Sequence, residues 1–132
     1  MDMSVFWESI LWFVIVMAVI FIAAFIFEKV TKFKDREEIK AGNVSVALSL
    51  AGKIYALGYI MKISAENAYN LGEALAWGLI GFVLLIVGYF LFEFLTPSFK
   101  VDDELAKDNK AVGIISLAIS IVIAHAVAIA II

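Results

Sequence analysis

Lys53 has the clearest capacity for chemistry in this sequence, because it interrupts a long apolar run. It follows Asn43, where the run begins, by ten residues, or about 15 Å along a helix, which is near the middle of a bilayer. A lysine at that depth costs roughly 2.5–3.5 kcal/mol and usually faces a bundle interior or a water-filled cavity. Alternatively the ammonium snorkels to an interface along its apolar stem. The first interpretation predicts an ion or solute site, or an oligomer interior.

Polar residues at the ends of the apolar runs are further candidates. Asn43 and Asn109 each begin a run, either as helix caps or as amides bonded across helices. Glu28 and Glu93 lie where two other runs end, where water or headgroups can solvate them. A carboxylate there opposes the helix macrodipole, so we expect a cationic neighbour, Lys29 or Lys32 in the case of Glu28. The functional alternative is a cation-attracting ring at the mouth of an oligomeric pore.

The elements that carry these residues are four long apolar segments. The chain is 64% hydrophobic, against about 45–50% for soluble domains, and its mean hydropathy is +1.04. About 20 apolar residues cross a bilayer as a helix, and the sequence predicts four such transmembrane helices in an all-α membrane protein. The spans lie between Glu8 and Glu28, from Asn43 to about Met61, between Glu73 and Glu93, and from Lys110 to Ile132.

Small side chains on the second and fourth spans predict how the helices pack. Small residues let helix backbones approach closely, whereas the bulky Phe, Leu and Ile of the first and third spans suit lipid. We therefore expect the second and fourth spans to form the inner layer. Ser49, Ser116 and Ser120 would then provide hydroxyls in the same layer as Lys53. The small residues are Ser45, Ser49, Gly52 and Ala56 on the second span, and Ser116, Ser120, Ala124 and Ala128 on the fourth.

The second half of the chain repeats the first. The sequence predicts a single membrane domain over residues 1–132, with helix-hairpin units at about 5–64 and 70–132. Each unit has an even number of spans, so both have the same orientation, as in parallel transporter repeats. The matched pairs, at an offset of 65 or 66 residues, are Glu8 and Glu73, Trp12 and Trp77, Glu28 and Glu93, and Asn43 and Asn109.

Lysine and arginine predict the orientation. The positive-inside rule places loops 29–42 and 96–110 in the cytoplasm and both termini outside. Asp35 and Glu38, at capping-box-like spacing, predict a short surface helix in the first loop. The first loop holds Lys29, Lys32, Lys34, Arg36 and Lys40, the second holds Lys100, Lys107 and Lys110, and the opposite side has Lys62.

Several classes of function are disfavoured by composition. The chain has no cysteine and one histidine, which argues against disulfides and against zinc, iron–sulfur or bis-histidine haem sites within one chain. The net charge of −3 is typical of neither DNA- nor RNA-binding proteins. Nucleophile motifs and phosphate-binding loops are absent from the sequence. We expect neither an enzyme nor a bound cofactor or metal.

The sequence AGNVSVA at residues 41–47, followed by Ala51 and Gly52, resembles the YjfL-type family of small prokaryotic inner-membrane proteins. Residues 108–113, DNKAVG, echo the motif without the Ala-Gly pair. The resemblance covers nearly the whole chain and implies four spans in the plasma membrane. It implies no activity, because the family is one of unknown function. It also implies a possible partner among membrane-stress proteins.

Two functions are consistent with these patterns. The favoured one is a homo-oligomeric pore or small transporter for an ion or small solute, with a polar mid-membrane site around Lys53. Its support is the lysine in the membrane, the serine faces and the parallel repeat. The alternative is a non-transporting membrane scaffold or stress-response partner protein, which suits the small size and minimal loops.

Overall fold

The computed structural model describes residues 2–31, 34–95 and 100–131, which form helices joined by short turns. Residues 32, 33 and 96–99 of the two predicted charged loops lie outside the described residues. Among the described residues, four helices are long and apolar enough to cross a membrane, as predicted. In chain order the helices are α1 (Met3–Val30), α2 (Asp35–Lys40), α3 (Val44–Asn67), α4 (Leu71–Phe94), α5 (Val101–Ala106) and α6 (Lys110–Ile131).

The inner pair consists of α3 and α6, which make the most extensive helix contact in the described chain. A Cβ on Gly52 would lie 3.0 Å from the Leu117 Cα, and one on Gly113 would lie 2.8 Å from the Ser45 Cα. Such distances leave no room for a side chain, so glycine allows the two backbones to meet. The prediction of an inner layer made of the second and fourth spans is therefore confirmed within one chain.

The outer helices pack on this pair to different extents. In the apolar stretch of α3, 50% of the residues are buried. In that of α1, 11% are buried. Helix α1 meets the core through Ala23 and through Phe27, which is fully buried and packs edge-to-face on Phe82 at 5.5 Å. Helix α4 packs against both α3 and α6. The remaining α1 surface exposes large apolar side chains, as a lipid-facing helix does.

Two short helices, α2 and α5, precede the inner helices and fold back against the bundle. Val101 and Leu105 of α5 are fully buried in a cluster with Val46 and Val112. The predicted short helix in the first loop is present as α2, but its capping box is absent because Lys34 occupies the N-cap position. Asp35 lies inside the helix and is only 4% exposed. The short helix predicted to lie at the surface thus buries one of its acidic side chains, that of Asp35.

Each short helix ends in the same kind of turn. Gly42 has φ +90° and Asp108 has φ +60°, a left-handed conformation that glycine and aspartate tolerate. The following residue, Asn43 or Asn109, donates its backbone N–H to the carbonyl of Glu38 or Glu104 respectively. The turn reverses the chain, so that α2 and α5 lie beside the inner helices that they precede. We call the side of the membrane with α2 and α5 the loop side.

Candidate functional site

A buried group of charged and aromatic side chains lies toward the loop side of the bundle. It consists of Phe27, Asp35, Lys53, Tyr89 and Asp102, which we call the Lys53 cluster. None of the five is more than 4% exposed. Each comes from a different helix, in the order α1, α2, α3, α4 and α5. The cluster therefore exists only when both short helices are folded onto the bundle.

The Lys53 ammonium has both aromatic and acidic neighbours. Its Nζ lies 4.5 Å from the centre of the Tyr89 ring and 5.2 Å from that of Phe27, within cation–π range. Asp35 and Asp102 are close enough to interact with it electrostatically. The Tyr89 hydroxyl donates a hydrogen bond to Asp102 Oδ1. The rings and carboxylates replace water around the charge, which satisfies the usual requirement of a buried lysine.

The direction of the Lys53 side chain reconciles the two interpretations of the sequence. Side chains in a helix tilt toward its N-terminus, which for α3 is the loop side. Phe27 and Tyr89, which the ammonium contacts, lie within the last two turns of α1 and α4, at the same side. The ammonium thus extends from the middle of α3 toward the loop side, as snorkelling predicts. It ends in a buried cluster, however, and not in solvent, since Lys53 is 1% exposed.

The charged side chains of the Lys53 cluster, as far as the described residues show, are one ammonium and two carboxylates. The ammonium of Lys53 interacts with the buried carboxylates of Asp35 and Asp102. Burial raises the pKa of the Asp35 carboxyl above its ordinary value, the Lys53 ammonium opposes this, and Glu28 and Asp102 add to the rise. A proton on Asp35 would neutralise the cluster. Asp35 is therefore the side chain at which proton binding relieves an excess of negative charge.

The serines predicted to lie near Lys53 are buried between the inner helices. Ser116 Oγ donates to Ser49 Oγ at 3.0 Å across α3 and α6. Ser120 packs beside Gly52: a Cβ added to Gly52 would lie 3.1 Å from the Ser120 Cβ. The hydroxyls of Ser49 and Ser116 therefore bond to one another, and this pair links the two inner helices.

Both asparagines cap helices, and one of them also bonds across the bundle. Asn43 Oδ1 accepts from the Val46 N–H at 2.9 Å, and its Nδ2 donates to the Leu105 carbonyl of α5 at 2.8 Å. Asn109 accepts from the Val112 N–H at 3.4 Å and donates to Glu104 of its own loop at 2.9 Å. Asn43 thus both caps α3 and links it to the backbone of α5.

The two glutamates at the ends of the outer helices are partly buried. Arg36 Nε lies 3.9 Å from Glu28 Oε2, so the cationic neighbour comes from α2. Of the two neighbours expected from the sequence, Lys29 lies over the Phe25 ring at 5.0 Å, and Lys32 lies outside the described residues. Glu28 also interacts electrostatically with Asp35, which places it at the edge of the Lys53 cluster.

Sequence reasoning missed Asp35, Asp102 and Tyr89. The signal for an acid was the buried lysine itself, because an ammonium in a bundle needs a counter-ion. Val101 and Leu105 also mark the packed face of α5 by their spacing of four residues, and Asp102 lies beside Val101 on the buried side. Nothing comparable in the sequence identifies Tyr89 among the many aromatic residues of the spans.

The fold and the cluster define a small multi-pass membrane protein with ionisable side chains buried in its bundle. Residues 1–131 match the family described as Domain of Unknown Function (DUF350). The chain therefore belongs to that family, which agrees with the resemblance to the YjfL-type proteins.

Two curated relatives show where members of the family reside. The chain is 40% identical to the UPF0719 transmembrane protein YshE of Bacillus subtilis (strain 168), over 96% of this chain and 98% of the relative. It is 28% identical to the UPF0719 inner membrane protein YjfL of Escherichia coli (strain K12), over 77% and 76% respectively. No solved structure matches the chain. Together with the four apolar helices, these relatives identify a multi-pass inner-membrane protein.

Proposed function

We propose that the protein is a small transporter or oligomeric pore for monovalent cations, protons included, and that the Lys53 cluster is its ion site. The observation that carries the proposal is the burial of one lysine and two aspartates together in an apolar bundle. Ionisable residues inside membrane bundles are rare and mark ion pathways or proton relays. Perturbed, desolvated charges also concentrate at functional sites.

The excess of carboxylates favours a cation over an anion. Lys53 alone would attract an anion, but Asp35 and Asp102, which interact with it electrostatically, would repel one. A proton or a small cation beside these two carboxylates would cancel the remaining negative charge. The cluster is thus suited to exchange one positive charge with the loop side, which the lysine distribution predicts to be the cytoplasm.

Access to the cluster requires movement or assembly. Phe27 of α1 covers the ammonium, and α1 is the span with the least buried surface. Displacement of α1, or its repacking against a second copy, would open the cluster with little loss of core contact. We therefore include homo-oligomer formation in the proposal, with α1 as the movable helix.

Flux in proteoliposomes tests the proposal. The wild-type protein, reconstituted with an entrapped pH dye, should respond to imposed K⁺, Na⁺ or pH gradients. Lys53→Met and Asp102→Asn should abolish that response while circular dichroism remains helical. Lys62→Met is the matched control, since Lys62 lies on the same helix but is exposed and pairs with Glu66 at 2.8 Å. A wild type without flux for any cation, or equal flux in Lys53→Met, would overturn the proposal.

The alternative is a non-transporting scaffold, and one observation favours it. The Tyr89–Asp102 hydrogen bond and the cation–π contacts of Lys53 join α1, α3, α4 and α5. Such a cluster would also hold the short helices on the bundle and so fix a surface for a partner, including a membrane-stress protein. In that case Lys53→Met should release the short helices to proteolysis and leave membrane permeability unchanged.

A further inference from the structure

Two adjoining cavities on the loop side lead to an inference that does not depend on the proposed function. The first cavity, of about 340 Å³, lies between the end of α1 and the short helix α2. Its walls carry four cations and two carboxylates, and we call it the basic pocket. The cations are Lys29, Lys34, Arg36 and Lys40, and the carboxylates are Glu28 and Glu37.

The second cavity, of about 290 Å³, runs along the lipid-facing side of α1 and α3. Phe21, Leu50 and Ile54 give it apolar walls, and we call it the apolar groove. It shares Phe25, Glu28 and Arg36 with the basic pocket, so the two cavities adjoin, and Asp35 also lines it. A charged pocket at headgroup level thus lies beside a largely apolar groove at acyl-chain level.

The cations of the basic pocket are available to an anion. Arg36 and Glu28 are 3.9 Å apart, Lys34 and Glu37 are 4.0 Å apart, and the side chains of Arg36 and Lys34 are 82% and 70% exposed. Ion pairs of that length and exposure are weak. A phosphate can therefore bind between these cations without first breaking a strong internal contact, and an arginine with several lysines suits its geometry and charge.

The described part of the second loop, residues 100–110, carries no excess of positive charge. Lys107 lies 3.9 Å from Glu104 and Lys110 lies 3.2 Å from Asp108. Aspartates and glutamates outnumber lysines in residues 100–110. The basic pocket is accordingly a property of the first loop and not of the repeated architecture.

We propose that the basic pocket and the apolar groove together bind one anionic glycerophospholipid of the loop-side leaflet. The phosphate would lie among Lys29, Lys34 and Arg36, and one acyl chain would lie along Leu50 and Ile54. Charge complementarity selects an anionic headgroup over a zwitterionic one. The adjoining apolar groove favours a lipid over a soluble phosphate, because only a lipid has both a charged headgroup and an acyl chain to occupy the two cavities.

Lipid retention by the whole protein tests the inference. The protein is extracted from vesicles of equal parts phosphatidylglycerol and phosphatidylcholine, and the lipids that remain bound are measured by mass spectrometry. The wild type should retain phosphatidylglycerol preferentially. The triple variant Lys29→Gln/Lys34→Gln/Lys40→Gln should lose about tenfold or more of that preference. The matched triple variant Lys100→Gln/Lys107→Gln/Lys110→Gln removes three charges from the other loop and should change it less than about twofold.

A second variant separates a lipid from a free phosphate. Ala24→Trp fills the apolar groove, in which Ala24 lies, without altering a charge. It should lower phosphatidylglycerol retention, and inorganic phosphate should not displace the lipid from the wild type. Equal lipid retention by the wild type and the first triple variant, or equal loss in both triple variants, would overturn the proposal. So would complete displacement by inorganic phosphate, which would indicate a soluble ligand.

Discussion

The ammonium of Lys53 lies 4.5 Å from the ring centre of Tyr89, whose hydroxyl donates a hydrogen bond to Asp102. One tyrosine thus contacts the cation with its ring and a carboxylate with its hydroxyl. It holds these opposite charges in fixed positions within a space that excludes water. Tyr89 therefore links the lysine to one of the two acids of the Lys53 cluster. Single substitutions can remove each of these contacts separately.

Removing the tyrosine hydroxyl should destabilise the bundle without removing the ring from Lys53. Tyr89→Phe leaves Asp102 without this donor in a buried site, which should lower the free energy of unfolding by about 1–3 kcal/mol. Titration with a denaturing detergent, followed by circular dichroism, measures it. Tyr69→Phe is the control, because Tyr69 is 94% exposed and should show no change. Equal stability of both variants would mean that the hydroxyl contributes nothing to the fold.

Asp35 should give the protein a pH-dependent stability of definite sign. Its pKa is raised in the folded protein above the ordinary value of 3.8, so the folded state binds the proton more tightly than the unfolded state. The contribution of Asp35 to stability is therefore largest near and below pH 3.8 and falls as pH rises through the folded pKa. Asp35→Asn should remove this part of the decline in unfolding free energy. Glu37→Gln, at an exposed carboxyl, should leave the decline as it is in the wild type.

Close approach of the inner helices can be tested at two glycines. A Cβ at Gly113 would lie 2.8 Å from the Ser45 Cα, whereas none of the described atoms lies within 4 Å of one at Gly58. Gly113→Ala should therefore lower the unfolding free energy by about 1–3 kcal/mol. Gly58→Ala should be neutral or stabilising by up to about 1 kcal/mol, as alanine is the better helix former. Similar tolerance of the two changes would contradict the observed packing of α3 on α6.

The predicted orientation can be checked by labelling in intact cells. Cysteines at Lys34 and Lys107, on the loop side, should resist an impermeant thiol reagent added outside. A cysteine at Tyr69, in the turn on the opposite side, should react. The chain has no native cysteine to interfere. Labelling of Lys34→Cys or Lys107→Cys as strong as that of Tyr69→Cys would reverse the orientation.

Hydropathy was enough to predict the four spans, because a bilayer imposes length and polarity on every spanning helix. Small residues such as Gly52 and Ser116 were enough to predict the inner pair, since their size decides which backbones can touch. Neither hydropathy nor residue size could predict which side chains surround Lys53. Asp35 and Glu37 are both acidic residues in the same charged segment, and the sequence does not distinguish them. Only Asp35 is buried, because the turn at Gly42 folds α2 back along α3. Charge identifies the candidates, but tertiary packing selects among them.

The predicted duplication of the hairpin remains a prediction. Its clearest counterpart is the pair of turns in which Asn43 and Asn109 each bond to a glutamate five residues earlier. Variants in which α2 is replaced by α5, or α5 by α2, would show by their unfolding free energies whether the two halves are interchangeable. Asp35 aligns with Val101 at the offset of 66 residues, so the buried acids are not themselves duplicated in register.

The N-terminal end of α3 forms hydrogen bonds with residues that lie much later in the chain. Asp108 Oδ1 accepts from the Ser45 N–H at 2.9 Å, and Asn43 donates to Leu105, both more than 60 residues downstream. At roughly 5–20 residues per second, a ribosome reaches these partners only several seconds after it has made α3. During that interval Lys53 is already in or near the membrane, without Asp102. The first hairpin therefore lacks these partners until α5 and the turn after it are made, and we expect a chain truncated before α5 to be degraded by the cell's quality control.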